Sequence, residues 1–112
     1  MDEHLIWYED LRRSDVAVVG GKNASLGEMI STLAAKNIRV PDGFATTAET
    51  YRGFVAANTL KRVITERIAA LDAGHMTLHE AGAAIRAAIS ASAWPKETAE
   101  AICAAYRELA KR

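Results

Sequence analysis

From Thr46 onward the chain is punctuated by helix-start signals at short intervals, and this constrains the fold more than any other feature. Thr46 and Glu49 have capping-box spacing, Thr59 can cap a second helix, Thr77 and Glu80 repeat the box, and Pro95 suits a first helical turn. Each signal precedes an apolar stripe at spacings of three and four. The first stripe is Tyr51, Phe54 and Val55. The second is Leu60, Val63, Ile64, Ile68 and Leu71, closed by Ala73-Gly74. The third is Leu78, Ala81, Ile85, Ala88 and Ile89, and the fourth is Ile102, Ala105, Tyr106 and Leu109. This part of the chain is therefore predicted to be helical, with short connections.

The first 47 residues have another texture. Leu5-Ile6-Trp7-Tyr8, rich in β-branched and aromatic residues, and the short apolar run Val16-Ala17-Val18-Val19 are predicted as short strands, joined by the polar run 9–15. A helix is predicted to start near Asn23–Ser25, with Leu26, Met29, Ile30 and Leu33 on one face. Ser25 and Glu28 could form its capping box, or Asn23 could cap it, and Asn37 can end it in a left-handed conformation. Ile38-Arg39-Val40 is predicted extended, Pro41-Asp42-Gly43 a turn, and Phe44-Ala45-Thr46 extended again. The expected fold is α/β (α+β) and helix-rich, with a small N-terminal sheet and about five helices.

With 14 basic and 14 acidic residues the net charge is zero, and no basic run exceeds two residues, which argues against a nucleic-acid partner. The opening Met1-Asp2-Glu3-His4 lacks the pattern of a secretory signal, and no apolar run approaches the ~18–20 residues of a membrane span. The single cysteine, Cys103, cannot form an internal disulfide and is expected to be a buried or half-buried inert thiol. It fits a reducing cytosol. His4 is expected at a frayed end. His75 and His79 are expected on the surface, without the ligand cluster of a metal site. Ser25 lacks the setting of a nucleophile. Trp7, Tyr8 and Trp94 are expected to pack in or beside the core.

The run Val19-Gly20-Gly21-Lys22-Asn23-Ala24-Ser25-Leu26-Gly27-Glu28-Met29 stands apart chemically. Glycines allow a ligand close to the backbone, a lysine brings a point charge, and a helix start offers N–H groups, which together suit a phosphate. The alternative is a plain turn with a solvated lysine. A Walker A motif is excluded, because Val16 and Asn23 stand where it needs a glycine and a Ser or Thr.

Gly20–Met29, followed by Val40-Pro41-Asp42-Gly43-Phe44-Ala45-Thr46-Thr47, resembles the N-terminus of the phosphoenolpyruvate synthases (pyruvate, water dikinases). Leu5–Tyr8 and Ala81-Gly82-Ala83-Ala84-Ile85-Arg86 fit that family in the same order. Pyruvate, phosphate dikinases and rifamycin phosphotransferases have related openings. The resemblance implies that residues 1–112 are the N-terminal portion of an incomplete, ATP-grasp-type nucleotide-binding domain. It implies a parent enzyme of the cytoplasm, serving gluconeogenesis, that makes phosphoenolpyruvate from pyruvate, ATP and water, with magnesium. It implies Lys22 as a phosphate contact, with Gly20 and Gly21 as backbone support. The family's Ala-Val-Arg-Ser-Ser run, magnesium ligands, phosphohistidine and pyruvate site have no counterpart here, so no catalytic or metal residue is assigned.

An exposed ion pair contributes about 1 kcal/mol or less, whereas micromolar affinity needs about 8 kcal/mol. The isolated chain is therefore expected to be inactive and to bind ATP weakly, its other partner being the remainder of the parent enzyme. The uncapped end of the last helix suggests a natural chain that continues. Unpaired strands at Leu5–Tyr8 and Val16–Val19 would favour self-association through a sheet edge. The competing class is a stand-alone, non-enzymatic helical interaction module.

Overall fold

The structure is a computed structural model and describes residues 4–112; the acidic opening Met1–Glu3 lies outside the described residues. It divides into two compact units, one formed by the chain up to Arg52 with Lys96–Arg112, the other by Gly53–Pro95.

In the first unit, β1 (Leu5–Trp7) pairs antiparallel with β2 (Phe44–Thr46), placing Leu5 opposite Thr46, Ile6 opposite Ala45 and Trp7 opposite Phe44. Bonds from Tyr8 N–H to the Gly43 carbonyl (3.0 Å) and from Thr47 N–H to the His4 carbonyl (3.2 Å) extend the ladder at both ends. Leu5, Ile6 and Ala45 are buried, as two short strands require if they are to hold together. Across the ladder Trp7 meets Phe44 edge-on, with ring centroids 5.4 Å apart.

The chain leaves β1 through a 3₁₀ turn, Tyr8–Asp10, and a second one, Arg13–Asp15. The Arg12 guanidinium donates to the carbonyls of Glu9 (3.0 Å) and Leu11 (2.7 Å), bracing the link between them. Leu11 is fully buried. The next four residues, expected as a strand, form α1 (Val16–Val19), and the correction has a physical cause. Among the described residues the sheet consists of β1 and β2 alone, and Val16–Val19 pairs with neither. The segment closes its own bonds instead, Gly20 N–H donating to the Val16 carbonyl at 2.8 Å. Only Val19 is buried.

α2 (Gly21–Ala34) follows after one residue. It ends as Asn37 allows. Asn37 has φ 59°, its N–H donates to Ala34, and Ile38 N–H donates to Leu33, the paired bonds of a Schellman motif. Residues 38–40 join no ladder. The core gathers Ile6, Leu11, Val19, Ala24 and Ala45, with Tyr8 packed against it.

α3 (Ala48–Ala57) is capped one residue later than expected. Thr47 Oγ1 accepts from Thr50 N–H (3.2 Å), while Thr46 remains in β2. Glu49 pairs instead with Arg52. His4 is half-buried rather than frayed. Its carbonyl accepts from Thr50 Oγ1 (2.6 Å), and its Nδ1 lies 3.4 Å from Thr98 Oγ1.

α6 (Lys96–Lys111) starts directly after Pro95. It buries Thr98 and Ala105, and Cys103, some 140° around the helix from Thr98, is exposed, correcting the expected burial. Beyond its end, Arg112 lies 3.7 Å over the Trp7 ring and bonds Asp42 at 2.6 Å, with Glu9 at 3.5 Å. The Asp42 bond raises the pKa of this guanidinium above its ordinary value, so its charge is secure.

In the second unit α4 (Leu60–Asp72) packs against α5 (Leu78–Ala91). Gly74, at φ 78°, ends α4 in another Schellman pair, Gly74 N–H to Leu71 and His75 N–H to Ala70. Thr59 occupies the N-cap position but makes no side-chain cap bond. Thr77 and Glu80 form the full reciprocal box, and Leu78, expected inward, is 74% exposed. The Asn58 side chain exchanges bonds with the Ala93 backbone (2.8 and 3.0 Å), and Trp94 lies on Phe54 at 4.8 Å.

Candidate functional site

Gly20 is the hinge between α1 and α2. Its φ of 85° with ψ of 164° is a conformation that only glycine adopts readily. That turn lets α1 end and α2 begin without a loop, and the first bond of α2 is Ala24 N–H to the Gly20 carbonyl (3.1 Å). The N–H groups of Gly21, Lys22 and Asn23 precede this bond, so they belong to the polar, positive end of the helix. A Cβ added at Gly20 or Gly21 would meet nothing within 4 Å, so the backbone is open to approach.

Lys22 stands in this first turn, exposed, with no hydrogen-bond or ion-pair partner among the described residues. The first turn contains no acidic residue. A lysine at a positive helix end is unfavourable by a few tenths of a kcal/mol or more. An anion bound there would reverse the sign of that term, because it would face a charge and a helix end together.

Neither expected side-chain cap forms, for Gly20 is the N-cap residue and makes no side-chain bond. Asn23 does other work: its Nδ2 donates to the Val19 carbonyl (2.9 Å) and its Oδ1 accepts from the Tyr8 hydroxyl (3.1 Å). Glu28 accepts from Arg13 N–H (2.9 Å) rather than returning to Ser25. Gly27 has the least room of the glycines, since a Cβ there would overlap the Leu11 Cβ and fall 2.8 Å from the Leu11 carbonyl oxygen and 2.9 Å from that of Tyr8. An isolated glycine inside a helical pattern is the sequence signal for such a contact. The Tyr8–Asn23 bond, across fifteen residues, has no local signal.

The structure thus brings Gly20, Gly21 and Lys22 to one exposed corner. A hollow of about 280 Å³ beside Arg13, Ser25, Glu28, Met29, Thr32 and Leu33, and one of about 290 Å³ between β1 and α6, do not include Lys22 in their lining. His75 and His79 are exposed, and no three potential metal ligands gather among the described residues. Among those residues no helix is long and apolar enough to cross a membrane.

The sequence model of the family described as "Pyruvate phosphate dikinase, AMP/ATP-binding domain" matches residues 16–112. The chain belongs to this family. The glycine-lysine corner and α2 fall wholly within the matched range, whereas β1 and Tyr8 precede it. Relatives at full-enzyme length point the same way. The chain is 48% identical to the phosphoenolpyruvate synthase of Neisseria meningitidis serogroup B over 109 residues, which is 96% of this chain and 14% of that protein. It is 44% identical to the synthase of Deinococcus radiodurans over 88% of this chain and 13% of that one. Against the synthase of Escherichia coli K12 it is 42% identical over 94% of this chain and 13% of that one. The chain therefore spans about one seventh of the length of the curated relatives it matches. Within this dikinase family, the match is to the N-terminal part of the enzyme.

Proposed function

We propose that residues 1–112 form the N-terminal portion of the ATP-binding domain of a phosphoenolpyruvate synthase, and that Lys22 contacts the phosphates of the nucleotide. The observation that carries the reading is a lysine without a partner among the described residues, at an open, glycine-started helix end, inside the range matched by an AMP/ATP-binding family. The names of the relatives favour the synthase over other dikinases or a rifamycin phosphotransferase. The same agreement along the chain disfavours an unrelated helical interaction module.

In this reading Gly20 and Gly21 let a phosphate approach the backbone, and Lys22 neutralises and orients it. Phosphoryl transfer depends mainly on such positioning and electrostatics. The parent reaction converts pyruvate, ATP and water into phosphoenolpyruvate, AMP and phosphate in the cytoplasm, as a step of gluconeogenesis. Magnesium would accompany the nucleotide, and no residue of this chain is assigned to it.

One lysine and a helix end leave most of a nucleotide uncontacted. The isolated chain is therefore inactive and binds ATP weakly, and the remainder of the enzyme supplies the other contacts. Isothermal calorimetry with Mg-ATP is expected to give no micromolar binding; micromolar binding lost in Lys22→Ala would overturn the weak-binding part, and ATP turnover by the purified chain would overturn the inactivity. Phosphate-induced shifts confined to residues other than 20–22 would overturn the assignment of the corner.

A further inference from the structure

We propose that Tyr8 is a positioning residue for the helix start at Gly20–Lys22, acting through Asn23 to fix the direction in which Lys22 meets a phosphate; this rests on the reading of Lys22 given above. Tyr8 has an anchor outside α2. Its N–H is bound to the Gly43 carbonyl at 3.0 Å, and its ring lies so close to Gly43 that a Cβ there would come within 2.7 Å of Cε2. From this fixed base the hydroxyl donates to Asn23 Oδ1 at 3.1 Å. With Oδ1 so engaged, the Asn23 amide presents Nδ2 to the Val19 carbonyl at 2.9 Å. One side chain thus ties the end of α1, the start of α2 and the 3₁₀ turn after β1 to each other.

A single tether would leave α2 free to roll about it. Two further contacts prevent this: Gly27, about 40° around the helix from Asn23, against the carbonyls of Tyr8 and Leu11, and Glu28, about 140° around it, against Arg13 N–H. Lys22 lies about 100° around the helix from Asn23 and about 140° from Gly27. Its backbone is therefore fixed while its side chain stays in solvent. Such pre-organisation lowers the ordering cost of a contact. The hydroxyl is not needed for packing, because a phenylalanine ring would fill the same space beside Gly43. What the hydroxyl adds is a direction for the Asn23 amide.

The test uses the 112-residue chain and nuclear magnetic resonance, with Mg-ATP titrated into the wild type, Lys22→Ala, Tyr8→Phe, Asn23→Ala and the Tyr8→Phe/Asn23→Ala double variant. In the wild type the Gly20, Gly21 and Lys22 amides are expected to shift at millimolar Mg-ATP, and Lys22→Ala is expected to abolish the response. Tyr8→Phe should weaken binding by about three- to tenfold, the scale of one neutral hydrogen bond, while remaining folded. Asn23→Ala should weaken it at least as much, and the double variant no more than Asn23→Ala alone, because both remove the same bond. Amide exchange in the free Tyr8→Phe chain should speed up at Ala24, whose N–H is bonded to the Gly20 carbonyl, and not in α5. Wild-type affinity in folded Tyr8→Phe, or additive losses in the double variant, would overturn the proposal. If the wild type itself gives no Mg-ATP shift, the Lys22 reading fails. Exchange then decides the anchor alone: faster exchange at Ala24 supports it, and unchanged exchange there overturns it.

Discussion

Gly20 and Gly21 stand side by side but carry different burdens. Gly20 has a positive φ and no neighbour to clash with, so its constraint is backbone strain alone. Gly20→Ala should cost about 1–3 kcal/mol. Gly21 is the first residue of α2, also without neighbours, and its φ is not positive. Gly21→Ala should be neutral or stabilising by up to about 1 kcal/mol, since alanine suits a helix better. Urea denaturation of the two variants checks the contrast. The diglycine was legible from sequence as a turn before a helix. Which glycine makes the turn was not, because φ depends on where α1 ends, and α1 itself was expected as a strand.

At the scale of elements, α2 is docked by its least conspicuous residue. Gly27 lies beneath the carbonyls of Tyr8 and Leu11, and backbone cannot retreat as a flexible side chain can. Gly27→Ala should destabilise the chain by about 1–3 kcal/mol or more through overpacking, measured by urea denaturation with a baseline check on helicity. The helix starts fared unevenly as sequence signals. The Thr77–Glu80 box forms as spacing predicts, since both partners lie within one turn. The Thr46–Glu49 box does not form, because β2 keeps Thr46 in its ladder, and Thr47 Oγ1 accepts from Thr50 N–H instead. The Ser25–Glu28 box is lost because α2 already starts at Gly21, which leaves Ser25 inside the helix, and the Glu28 carboxylate accepts from Arg13 N–H instead. Thr77→Ala should cost about 1 kcal/mol. The backbone and hydroxyl of Thr77 hold Glu80 below its ordinary value of 4.5. A lowered carboxylate pKa stabilises the fold above the unfolded value, and that contribution is lost as pH falls through the folded one. The pH dependence of stability below about 4.5 should therefore be shallower in Glu80→Gln than in the wild type, as read by thermal unfolding at stepped pH.

At the scale of the molecule, the sheet consists of β1 and β2, and Val16–Val19 is helix. The self-association expected through a strand at Val16–Val19 therefore loses that basis. Exposed apolar side chains remain as another route, among them Val16 (49%), Met29 (45%) and Ile38 (50%) in the first unit. Concentration-dependent mass in light scattering is the expected outcome, and a strictly monomeric mass over a wide range would count against it. By itself the sequence determined the helical character after Thr46, the turn at Asn37, the extended Phe44–Thr46 and the family. These follow from local propensity and from residues in a fixed order, which need no partner. Only the tertiary structure decided that Val16–Val19 is helix, that His4 is anchored and Cys103 exposed, and that Asn23 serves Tyr8 and Val19 rather than a cap. The physical reason is common to all of them. Each outcome depends on which distant group reaches a hydrogen bond or a buried space first, and that competition is resolved only when the chain has packed.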